Sequence, residues 1–114
     1  MTGKDISQLE IRKAGNKEFY FIFRLPSDGM FVSVFFESMA ETMVAAESAK
    51  MDSIADANYL CNTESADEAY FVFRDKNSKP IGLSTIFKQE STMTVGMKYM
   101  KENLHRAEAA DLTT

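Results

Sequence analysis

The sequence predicts an α+β domain: two tandem β-β-β-α units sharing one mainly antiparallel sheet, with two helices packed on one of its faces. Three observations lead there. EFYFIFR at 18–24 returns fifty positions later as EAYFVFR at 68–74, with Glu, Tyr, Phe, Phe and Arg identical. Each copy sits among short runs of alternating β-branched and aromatic residues, the pattern of half-buried strands. Each set of strands is then followed by a stretch with helical spacing.

In the first unit, about 9–57, Leu9–Lys13 alternates, with Leu9 and Ile11 on one face and Glu10 and Arg12 on the other. Glu18–Leu25 and Met30–Phe36 follow, joined through PSDG, where Pro26, Asp28 and Gly29 supply turn chemistry. Ser38 and Glu41 have capping-box spacing and start a helix that runs to about Met51.

The second unit, about 59–113, repeats the plan as Tyr59–Thr63, Glu68–Asp75, Ile81–Phe87 and a helix from about Ser91 to Leu104. After the hairpin the best offset becomes 51, so that Val32, Ser33, Phe35 and Phe36 fall on Leu83, Ser84, Ile86 and Phe87. Met93, Met97, Met100 and Leu104 share one helical face. The tail at 109–113 is long enough to add an edge strand. A three-stranded unit of fifty residues is marginal alone, so each copy is expected to complete the other's core within a single domain spanning 1–114.

In order, LEIRK (9–13), FIFRL (21–25), IGLS (81–84), VGMKYMKEN (95–103) and ADLT (110–113) resemble the repeat of the YegP-like family of small bacterial proteins of unknown function. The resemblance implies tandem β-β-β-α units with the strand after each helix exchanged between them. It implies no activity. The chain departs from the pattern at Ala45, where the family's helix glycine would stand, although Gly96 keeps it in the second unit. KNSK at 76–79 replaces the family's N-G turn, which suggests a looser hairpin tip at 75–79.

Composition narrows the function classes. The chain has 114 residues, a formal net charge of -4 and no clustered Lys/Arg surplus, which disfavours nucleic acid. No apolar run reaches the roughly 18 residues of a membrane span, and MTGKDISQLE does not read as a signal peptide. The single cysteine forbids an internal disulfide and fits a reducing compartment, so a cytoplasmic location is expected. No phosphate loop, catalytic triad or metal-ligand spacing is present, so no cofactor and no metal are implied.

The strand face carrying Phe19, Phe21, Phe23, Leu25, Phe71 and Phe73 is the expected core, continued by Leu9, Ile11, Val32, Val34 and Phe36. The opposite face carries Tyr20, Ile22, Arg24, Phe31, Phe35, Tyr70, Val72, Arg74 and Ile86, and a surplus of exposed apolar residues marks an interaction surface. The expected partner is a second copy of the chain or another protein. Covering of that face by the tail, or a plainly solvated face, is the structural alternative. Arg24 and Arg74 are expected to form salt bridges, with Glu18 and Glu68 as candidate partners; an anionic ligand or a partner's carboxylate is the functional alternative. Cys61 falls on Ile11 and reads as a small buried hydrophobe; His105 reads as a helix C-terminal cap. A non-catalytic binding or assembly module is the favoured function. The alternative is an enzyme or small-molecule binder with a pocket between helices made unequal by Ala46 and Ala49 against Met97 and Met100.

Overall fold

Strand pairing decides which side chains meet. The computed structural model describes residues 8–15, 17–65 and 67–113. Along the chain run β1 (Gln8–Lys13), β2 (Phe19–Arg24), β3 (Met30–Ser33), α1 (Met39–Asp52), β4 (Tyr59–Ser65), β5 (Glu68–Arg74), β6 (Pro80–Ser84), α2 (Glu90–Asn103) and β7 (Glu108–Asp111). The seven strands form one mixed sheet in the order β4-β5-β6-β3-β2-β1-β7. Neighbours are antiparallel except β1 and β7, which run parallel. The C-terminal segment thus does add an edge strand, beside β1.

Phe21 and Phe23 of β2, Phe31 of β3 and Phe71 and Phe73 of β5 are buried with Leu9 and Ile11 in one core that also takes Ala46 and Ala49 of α1 and Met93 and Met100 of α2. The rings of Phe21, Phe31, Phe71 and Phe73 form a chain of contacts at centroid separations of 5.8–6.3 Å across Phe31. The expected Met face of α2 is present, with Met93, Met100 and Leu104 buried and Met97 packed at its margin. Ser38 caps α1, its Oγ accepting from the Glu41 N–H at 3.1 Å, which satisfies one of the orphan donors of the first turn.

The phase of β3 differs from the expectation. Phe31, placed on the outer face by the sequence, is fully buried, while Val32 points outward and Val34, expected in the core, is exposed beside α1. The ladder sets this phase, because Phe31 lies opposite Phe23 and Val32 opposite Ile22. After Ser33 the chain leaves the ladder and takes one extra residue before Phe36 bridges Phe19. Counting back from Phe36 therefore lands one residue out of step. The same slip follows β6, where Leu83 faces out, Ile86 is exposed, and Phe87 turns in to bridge Ala69.

Two serines repair the slip. Ser33 Oγ accepts from the Phe21 N–H at 2.9 Å and donates to the Val34 carbonyl at 2.8 Å. Ser84 Oγ accepts from the Phe71 N–H at 3.0 Å and donates to the Thr85 carbonyl at 2.8 Å. Each hydroxyl stands in for a missing ladder bond to a buried amide.

The hairpin tips also depart from expectation. In PSDG, Ser27 and Asp28 take the left-handed conformation, with φ of 62° and 61°, as a type I′ turn demands. Gly29 is needed instead for space, since a Cβ there would fall 2.7 Å from Phe87 Cζ. The 75–79 tip is tied down rather than loose: Asp75 Oδ1 accepts from the amides of Asn77 and Lys79 at 2.8 and 3.0 Å, and Asp52 Oδ2 accepts from that of Lys76. Cys61 is exposed, not buried, because β4 is the edge strand; its Sγ lies 3.6 Å from Met97 Sδ.

Candidate functional site

Pairing across the sheet aligns one row of side chains on the face away from the helices. Leu60, Val72, Leu83, Val32, Ile22 and Glu10 lie directly opposite one another in turn across six strands. Five are apolar, and Leu60 and Leu83 are 53% and 51% exposed. Tyr20 and Phe35 extend the face beyond the row, edge to face at 5.5 Å, with Phe35 56% exposed. Tyr70 lies above it, its hydroxyl accepting from Asn62 Nδ2 at 3.1 Å.

The structure therefore brings Tyr20, Phe35, Tyr70 and Val72 together on the outer face and removes Phe31 from it. Ile22 points outward but is only 7% exposed, closed in between Glu10 and Val32, and offers little surface. Leu60 and Leu83 join the face without having been singled out, and Val32, expected in the core, joins it as well. Alternation in β6 would have placed Leu83, and the offset of fifty sets Leu60 on Glu10, a position already read as outward.

At one end of the row stands a charge cluster. Glu10 is buried, and its carboxylate accepts from Arg24 Nε at 2.7 Å and Arg24 Nη2 at 3.3 Å, and from Arg12 Nη2 at 2.7 Å. The Arg24 guanidinium, with help from Arg12, holds the Glu10 carboxyl below its usual range against the opposing effect of burial. Arg24 thus pairs across strands with Glu10 rather than with Glu18, which lies six residues away along one extended segment, roughly 20 Å. Arg74 forms no salt bridge with Glu68 for the same reason. Its Nε is buried without a hydrogen-bond partner, and no ion pair to it exists among the described residues.

A cleft of about 610 Å³ opens beside α1, where Val34, Phe35, Val44 and Ala45 meet Asp75 and Lys79. It lies between α1 and the ends of β3 and β6; α2 contributes no lining residue, so it is not the inter-helix pocket the sequence suggested. His105 sits in the short 3-10 turn after α2, beside Glu47, Lys50, Met51 and Ile54. Among the described residues no group of three or more His, Cys, Asp or Glu side chains could hold a metal ion, and no helix is long and apolar enough to cross a membrane.

No family model and no curated protein matches the chain. Two solution NMR structures share its fold. The UPF0339 protein SO3888 from Shewanella oneidensis superposes with a TM-score of 0.84 at 24% identity, over 94% of this chain and 92% of that one. The protein of unknown function yegP from E. coli superposes with a TM-score of 0.82 at 20% identity, over 95% and 94%. The YegP-like resemblance is thus supported in the fold, and neither relative brings an activity with it.

Proposed function

We propose that this chain is a non-catalytic assembly module that associates with a second copy of itself through the open sheet face. The observation that carries this reading is the outward row Leu60–Val72–Leu83–Val32, which leaves two leucines more than half exposed on either side of Val72. Apolar surface of this extent is commonly functional. Seven strands spaced about 4.8 Å apart, each about 17 Å long, make a face of roughly 500–600 Å² per copy. Two such faces bury on the order of 1,000–1,200 Å², just below stable specific complexes and in the range of weak, reversible ones.

The test is self-association of the unmodified chain against a Leu60→Lys, Leu83→Lys variant. Both positions are exposed, so the fold should survive, and dimer present in the parent should disappear in the variant. A variant that associates as strongly as the parent rejects this face.

The architecture behind the proposal is a single domain of two tandem β-β-β-α units, about 9–57 and 59–113. Ser33 with Ser84, and Phe36 with Phe87, support it by making corresponding contacts in the two halves. Strand exchange is supported by β7, which follows the second helix yet lies against β1 of the first unit. The lone cysteine supports a reducing, cytoplasmic setting.

The cleft beside α1 favours a second reading, a small apolar ligand, since its volume is within the range of ligand pockets. A thermal-shift hit abolished by Val44→Arg but retained by the Leu60→Lys, Leu83→Lys variant would select it.

A further inference from the structure

Arg24 and Arg74 end β2 and β5 on the same open face, yet only one of them is partnered. Beside β2 stands Glu10, opposite Ile22 and bonded to Arg24. Beside β5 the matching place, opposite Val72, holds Leu60. The carboxylate that would answer Arg74 has become an exposed leucine, and the Arg74 Nε is left buried and unpaired. Arg74 itself is only half-buried, so the part of its guanidinium on the open face can take a carboxylate supplied from outside.

The same strand carries an unanswered carboxylate. Glu68 is exposed at the opposite end of β5 and has no hydrogen bond or ion pair from its side chain among the described residues. Both side chains point away from the core, because Ala69, Phe71 and Phe73 between them point into it. Along one strand the two lie roughly 20 Å apart and cannot meet. In two copies laid face to face across a two-fold axis through the middle of β5, residue 74 of each stands over residue 68 of the other.

We infer that Arg74 of each copy takes the Glu68 carboxylate of a second copy, making the open face self-complementary in charge as well as apolar. The inference rests on the self-association proposed above and names what orients it. A two-fold interface is isologous, so a single unpaired acid and base on one strand yield two reciprocal pairs. Sheets stacked about 10 Å apart, within about 30° of alignment, leave room for an arginine and a glutamate to meet. The planar guanidinium suits a carboxylate held on both oxygens. Between the two pairs Val72 of one copy comes to lie over Tyr70 of the other, next to Leu60 and Leu83.

Sedimentation velocity on charge-reversal variants tests this. Arg74→Glu and Glu68→Arg should each weaken the dimer by about tenfold or more, and the combined reversal should restore it to within about threefold. Arg74→Gln, a gentler change, should also weaken it; melting temperatures close to the parent's confirm that the variants fold. Single reversals that leave the dimer unchanged overturn the inference, and so does a combined reversal as weak as the singles. If the parent dimerises and the Leu60→Lys, Leu83→Lys variant does not, yet the charge reversals have no effect, the inference alone falls. A parent that stays monomeric removes the self-association reading and this inference together.

Discussion

Phe31 fills the space that any side chain on Gly82 would need. A Cβ at position 82 would lie 2.7 Å from Phe31 Cζ, 2.3 Å from the Val32 carbonyl oxygen and 2.7 Å from Ser33 Cα. Two of those three atoms belong to the backbone of β3, so no change of rotamer opens the space. The contact lies in the seam where β3 meets β6 and joins the two halves of the sheet. One phenylalanine therefore serves both halves, and the position fifty-one residues after it must be glycine. Gly82→Ala should destabilise by about 1–3 kcal/mol in denaturant unfolding. Gly15→Ala, with nothing within 4 Å of the added methyl, is the matched control.

Ser33→Ala and Ser84→Ala each strip the partner from a buried amide, of Phe21 and Phe71 respectively. Each should lose about 1–3 kcal/mol. Because the two hydroxyls make the same bonds, the losses should agree to within about 1 kcal/mol by the same unfolding measurement.

Phe31 and Phe35 separate the core from the open face. Phe31→Ala empties the centre of the ring cluster and should cost about 3–5 kcal/mol. Phe35→Ala removes an exposed ring that meets Tyr20 edge to face, and thermal unfolding should change by about 0.5 kcal/mol or less.

Glu10 predicts a pH dependence. Its folded pKa is lowered, so its contribution is fully present above the ordinary glutamate value of about 4.3 and is lost as pH falls through the folded value. Arg24 is 58% exposed and solvent screens the pair, so the contribution is on the order of 1 kcal/mol and weakens with salt. In Glu10→Gln, unfolding free energy measured from neutral to acid pH should fall less steeply below about pH 4 than in the parent.

Much of this was legible in the sequence. The alternation of FYFIFR and AYFVFR marked the core face, and the Met spacing of 93–100 marked the buried side of α2. Three features escaped. The phase of β3 follows from pairing with β2, and the extra residue before Phe36 breaks the local count. The exposure of Cys61 follows from strand order, which makes β4 an edge. The partner of Arg24 stands on a neighbouring strand, where pairing rather than sequence distance sets what lies within reach. On the open face, local pattern identified Tyr20, Phe35, Tyr70 and Val72; the offset of fifty carries the outward placement of Leu60, and the pairing of β4 with β5 sets it beside Val72.

Self-association is read most simply from the mass of the unmodified chain in solution, followed by sedimentation from about 5 to 500 µM, a span suited to a weak, reversible complex. A reversible monomer–dimer equilibrium is expected within that range, shifted to monomer by Leu60→Lys with Leu83→Lys. A single species at the mass of one chain throughout would contradict it.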